Sequence, residues 1–142
     1  MSQAANCYKL SSQWEKAIEC YLKCIGYCSE EAEHASFYME AAHCAKKISA
    51  QKYLEFGRKA IDAYCLSSRI SSAAGLAKEI AEKLEEDYDF EEAVAAFEKA
   101  GELYQMEEQQ TQANSMIAKA ADLRILTRNF NLLGESIKVR NF

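Results

Sequence analysis

Cys20, Cys24 and Cys28 recur at every fourth position. On a helix that spacing places them on one face, a turn apart. Thiolates that hold zinc converge from different directions, commonly through a Cys-x-x-Cys turn with further ligands elsewhere. A straight file on one helix lacks that geometry, so these thiols read as small side chains of a packing face. His43 and Cys44 are sequence neighbours. On a helix they point about a hundred degrees apart and cannot act on each other as nucleophile and base. His34 falls near an expected helix start and reads as solvated. With two histidines and no nucleophile motif, the residues do not point to an enzyme. The five glycines are scattered, so no phosphate-cradling loop and no cofactor site is expected.

Charge is the other chemical resource. Glu79, Glu82, Glu85, Glu86, Asp87, Asp89, Glu91 and Glu92 surround one expected loop. They read as a solvated, capped loop, with a docking patch for a basic partner as the alternative. Lys46, Lys47, Arg69 and Lys119 fall near helix ends or on polar helix faces. By themselves they are ordinary solubility charges. The net charge of −5 argues against a dedicated nucleic-acid binder.

These residues must be positioned by helices. The 142-residue chain contains no proline, and 49% of it is hydrophobic. One helical domain over residues 1–142 with a substantial core follows. No apolar run reaches the roughly 18 residues of a membrane span, and the first residues do not read as a secretory signal. The six cysteines suit a reduced, cytoplasmic setting.

A helical hairpin recurs along the chain. Its second helix starts around Trp14-Glu15-Lys16-Ala17, Gln51-Lys52-Tyr53-Leu54, Phe90-Glu91-Glu92-Ala93 and Phe130-Asn131-Leu132-Leu133. The steps are about 37, 39 and 40 residues, the range of stacked helical repeats. One hairpin cannot bury its apolar face alone, and stacked hairpins can. The expected fold is all-α, a right-handed tetratricopeptide-like solenoid of about four hairpins.

Apolar spacing locates the helices. After Ala4–Leu10 comes 14–28, with Trp14, Ala17, Ile18, Tyr21, Cys24, Ile25 and Cys28 inward. Ser29 is the expected N-cap of a helix from about Glu31 to Lys47, with Tyr38, Ala41, Ala42, Ala45 and Ile48 inward. Ser49 caps 50–66, where Gly57 costs about 1 kcal/mol relative to Ala and implies a close helix approach. The next helix turns Ala73, Leu76, Ala77, Ile80, Ala81 and Leu84 inward. Asp89 and Glu92 predict a capping box for the helix from Phe90, which is expected to bury Phe90, Ala93, Val94, Phe97, Ala100 and Tyr104. A seventh helix from about Glu108 to Arg128 buries Ala113, Met116, Ile117, Ala120 and Leu126. Phe130–Val139 begins an eighth.

The residues also resemble a family. Ala4-Ala5-Asn6-Cys7-Tyr8-Lys9-Leu10-Ser11-Ser12-Gln13-Trp14 is similar to a repeat start in the soluble NSF attachment proteins, the SNAP adaptors of membrane fusion. So is Glu40-Ala41-Ala42-His43-Cys44-Ala45-Lys46-Lys47. The strongest piece is Ala96-Phe97-Glu98-Lys99-Ala100-Gly101-Glu102-Leu103-Tyr104, followed by Glu107-Glu108 and Ala113-Asn114. The resemblance is closer to the alpha/beta branch than to gamma.

It implies an adaptor that lies along the SNARE bundle through a basic concave face and recruits the ATPase NSF. Carried over by position, Lys46, Lys47, Arg69 and Lys119 match basic residues of that face, while Ser12, Gly75 and Ser115 stand where lysine is common. It further implies a cytoplasmic protein that meets membranes through its partners, SNARE complexes of syntaxin-type helices and an NSF-type ATPase. The chain resembles the middle of a full-length adaptor. The family's first helices would precede Met1, and its acidic C-terminal end would follow Phe142. The expectation is SNARE binding without stimulation of NSF, since this chain ends Ile137-Lys138-Val139-Arg140-Asn141-Phe142. Without the resemblance, a generic tetratricopeptide scaffold for another partner is the alternative.

Overall fold

With no proline to interrupt it, the chain turns only where helix ends are capped. A computed structural model describes residues 2–140. They form α1 (Ser2–Leu10), α2 (Trp14–Tyr27), α3 (Glu31–Ala45), α4 (Ala50–Leu66), α5 (Ile70–Glu86), α6 (Phe90–Met106) and α7 (Gln110–Arg140). No strand occurs among the described residues. The all-α hairpin repeat is therefore the fold.

The connectors explain the regularity. Ser12, Ser68, Tyr88 and Glu108 all adopt left-handed backbone, with φ of 60, 61, 62 and 58°. After each, the next amide reaches back five residues. Gln13 N–H donates to Tyr8 O at 2.8 Å, Arg69 to Tyr64 O at 2.8 Å, Asp89 to Leu84 O at 2.9 Å and Gln109 to Tyr104 O at 2.9 Å. These are Schellman turns closed without glycine. Helices α4, α5 and α6 each have 17 residues, so the same turn recurs with an even period through this stretch. Pairs of such helices account for the repeat length read from the sequence.

The other connectors differ. Helix α3 ends at Ala45, and Lys46 caps it in helical conformation. Lys47 N–H donates to Cys44 O and Ile48 N–H to Ala45 O, tightening the turn. Ser49 then caps α4 as expected, its Oγ accepting from Lys52 N–H at 3.4 Å. Between α2 and α3 the N-cap is Glu30, one residue beyond Ser29, and it makes no side-chain cap bond. The capping box expected from Asp89 and Glu92 is also absent, because Asp89 makes no side-chain cap bond. The Asp89 N–H that Glu92 would accept from is already spent on Leu84 O.

Contacts group the chain into two compact units, Met1–Leu76 and Ala77–Phe142. In the first, α1 packs on α2, α2 on α3 and α3 on α4. Alanines fill the crossings, and Tyr53 is its largest fully buried side chain. Lys9 Nζ reaches Glu40 Oε2 at 2.6 Å, tying α1 to α3. The Tyr64 hydroxyl donates to Met39 Sδ at 3.3 Å, tying α4 to α3.

In the second unit α6 packs along α7 around the buried Phe97 and Leu103. Gly101 permits the approach, since a Cβ there would lie 3.2 Å from Ile117 Cγ1 and 3.6 Å from Met116 Cβ. Gly57, where the sequence implied a close crossing, is buried in α4. Arg124 Nη2 pairs with Glu98 Oε1, and the Phe90 and Phe130 rings stack at 6.4 Å, 12° from parallel.

Two expectations for the last segment are corrected. No break separates a seventh from an eighth helix, because α7 runs on through Phe130. Residues 127–131 hold no glycine or proline, and Thr127 Oγ1 donates to Leu123 O at 2.8 Å within the helix. Ile117 and Leu126 are exposed, and so is Ile48 in the α3–α4 turn. Leu123, unassigned from sequence, takes the buried place on α7. Asn141 and Phe142, of the expected basic end, lie outside the described residues.

Candidate partner-binding residues

Helix α4 determines where the basic residues of the first unit stand. Lys46 and Lys47 precede its N-terminus, and Arg69 follows its C-terminus in the α4–α5 turn. All three are exposed. A 17-residue helix spans about 25 Å, so the lysine pair and Arg69 are two separate charged points. The structure does not gather them into one cluster.

Lys46 is not a loose surface cation. Its Nζ lies 5.5 Å from the centroid of the Tyr53 ring, which has no exposed area. In the second unit the exposed Lys119, on α7, repeats the arrangement, its Nζ 5.4 Å from the ring of the fully buried Phe97. A cation held over a ring face gains about 0.5–1 kcal/mol at an exposed site and loses rotamer freedom. Each ammonium is thus held near its ring while staying open to solvent. Sequence reading found the lysines and missed the rings under them, because neither pair shares a helix.

The three positions that lack an expected lysine are also placed. Ser12 occupies a left-handed connector, Gly75 lies exposed in α5, and Ser115 lies exposed on α7. A Cβ at Gly75 would meet nothing within 4 Å, so a side chain there has room.

The cysteines behave as packing residues. Cys24 and Cys44 are buried and Cys20 and Cys28 half-buried, all as free thiols. Burial raises the Cys44 thiol pKa. The hydrogen bond to Glu33 is the main cause that raises Cys28. Both shifts remove thiolate character, the opposite of what a nucleophile needs. His34 Nε2 is engaged with Cys28 O at 2.6 Å, correcting its reading as a solvated side chain. No three His, Cys, Asp or Glu residues converge as a metal set among the described residues. No described helix is long and apolar enough to cross a membrane.

One concave feature escaped the sequence reading. A groove of about 390 Å³ lies between α6 and α7, lined by Glu91 and Val94 on one side and Arg124, Thr127, Arg128, Asn131 and Leu132 on the other.

Comparison with known proteins gives these helices a context. The family profile described as soluble NSF attachment protein, SNAP, matches residues 1–135. An alpha-soluble NSF attachment protein of Vitis vinifera is 38% identical over 122 residues, covering 84% of this chain and 42% of the relative. The alpha-soluble NSF attachment protein of Saccharomyces cerevisiae is 30% identical over 132 residues, 87% of this chain and 44% of the relative. That of Homo sapiens is 26% identical over 133 residues, 91% and 45%. The chain thus spans less than half the length of these relatives. Their alpha designation agrees with the branch that the motifs resemble. With a profile match running through six of its helices and most of the seventh, the chain belongs to the soluble NSF attachment protein family.

Proposed function

We propose that the chain works as an adaptor of vesicle fusion, holding an assembled SNARE bundle and linking it to an NSF-type ATPase. The observation that carries this reading is the family match over residues 1–135, with relatives named for NSF attachment. The family is one of adaptors. Lys46, Lys47, Arg69 and Lys119 are the residues that meet the acidic bundle. Two of them are held over buried rings, so less side-chain freedom is lost when an anionic partner arrives. Membrane association is peripheral and comes through those partners.

The test is recovery of a purified, assembled SNARE complex on the immobilised chain at low and at high salt. The Lys46→Glu, Lys47→Glu double variant recovers less complex at low salt, and the difference narrows as salt screens the contact. Equal recovery by wild type and variant at both salt levels removes these lysines from the interface.

A further inference from the structure

Helix α7 carries two apolar faces. One, with Ala113, Met116, Ala120 and Leu123, is buried. The other is exposed. Ala118, Ile125 and Leu132 recur at seven-residue steps along it, with Ile125 60% and Leu132 53% exposed. Seven residues make nearly two full turns, so these side chains form a straight seam about 21 Å long. Leu126 and Leu133 widen it on one flank. Arg124 and Arg128 line the other, where the seam runs through Leu132 into the groove between α6 and α7.

We propose that this outer face docks one amphipathic helix whose apolar stripe is bordered by acidic residues. A seam at seven-residue spacing matches another helix. The charge of the partner follows from the arginine flank. Arg124 is paired with Glu98, and among the described residues Arg128 has no ion pair. A carboxylate on the incoming helix meets Arg128 directly.

A second copy of the chain fits poorly. A two-fold axis between antiparallel helices turns each flank toward the same flank of the other copy, setting Arg124 and Arg128 against their own images. This juxtaposes like charges beside an apolar contact. The surface excludes Lys46, Lys47 and Arg69; of the residues proposed to meet the SNARE bundle only Lys119 shares α7, one heptad before Leu126, so the lysine-pair variant below separates the two readings.

The experiment measures fluorescence anisotropy of two labelled three-heptad synthetic helices against the full chain. Both carry the same leucine stripe, one bordered by glutamate and the other by lysine. The glutamate helix binds at least roughly tenfold more tightly. Ile125→Gln and Leu132→Gln each weaken it by a similar factor without lowering the melting temperature. Arg128→Glu abolishes the preference for the glutamate helix, whereas the Lys46→Glu, Lys47→Glu variant leaves it intact. Equal affinity for both helices, or no saturable binding of either, overturns the proposal. So does sedimentation of the chain as a dimer that Ile125→Gln dissolves, since that assigns the face to a second copy.

Discussion

The ammonium of Lys119 lies 5.4 Å above the ring of Phe97, a side chain with no exposed area. The core of the second unit therefore directly supports a charge presented at the surface. Removing the ring takes away both packing and the seat of that charge, whereas removing the charge leaves the core intact.

Phe97→Ala is expected to destabilise the protein by about 3–5 kcal/mol, the range for truncating a fully buried phenylalanine. Lys119→Met, which keeps the stem over the ring, is expected to change stability by less than about 1 kcal/mol. Urea unfolding followed by circular dichroism measures both. A small effect of Phe97→Ala contradicts its place at the centre of the α6–α7 interface.

The connectors store strain that glycine can release. Glu108 holds φ of 58° and carries a negative charge just past the C-terminus of α6. Left-handed backbone costs a non-glycine residue about 1 kcal/mol, and the helix dipole disfavours an anion there. Glu108→Gly is expected to raise the melting temperature. Glu108→Val, β-branched at the same φ, is expected to lower it. If both move it the same way, backbone conformation is not what governs this site.

The sequence made the buried faces legible wherever one face of a helix is apolar. Every inward residue expected in α5, from Ala73 to Leu84, is buried. In α6 Ala93, Val94, Phe97 and Ala100 are buried, whereas Phe90 and Tyr104, also expected inward, are half-buried, as are Trp14, Ile25 and Cys28 at the edges of the α2 face. Helix α7 was harder because both of its faces are apolar. Ile117 and Leu126 fit the three-and-four spacing as well as Leu123 does, and nothing local says which of them meets α6. The spacing points to a new helix from Phe130, yet Thr127 bonds back to Leu123 O and the helix continues. The basic residues were visible as charges. That Tyr53 lies under Lys46, and that α4 separates the lysines from Arg69, are tertiary facts that no spacing encodes.

Lys9 and Glu40 give a pH signature. The Lys9 pKa is raised, chiefly by its hydrogen bond to Glu40 and against the opposing effect of burial. A raised lysine contributes stability that is fully present below its unfolded value of 10.5 and is lost as pH climbs through the higher folded value. Lys9→Met is therefore expected to melt below wild type at neutral pH. The gap closes above pH 10.5 as the wild-type lysine loses its proton. A gap that stays constant across that window assigns the effect to packing alone.

Gly75 offers a gain-of-function test of the proposed SNARE-binding face. It lies exposed inside α5, with no atom within 4 Å of where a Cβ would stand. Either lysine or glutamate there improves helix propensity by up to about 1 kcal/mol. Both Gly75→Lys and Gly75→Glu are accordingly expected to raise the melting temperature by similar amounts. Their effects on a partner separate. The chain carries a net charge of −5, so an acidic SNARE bundle approaches against a repulsive background. Lysine at this position, where the family resemblance places one, adds an attractive charge and is expected to increase recovery of the SNARE complex at low salt. Glutamate is expected to reduce it, and high salt to bring the two variants together. Because the helical gain is common to both, a difference in binding cannot be attributed to stability. If the two variants melt alike and recover equal amounts of complex at low salt, α5 does not face the bundle at Gly75, and the basic face is confined to other positions.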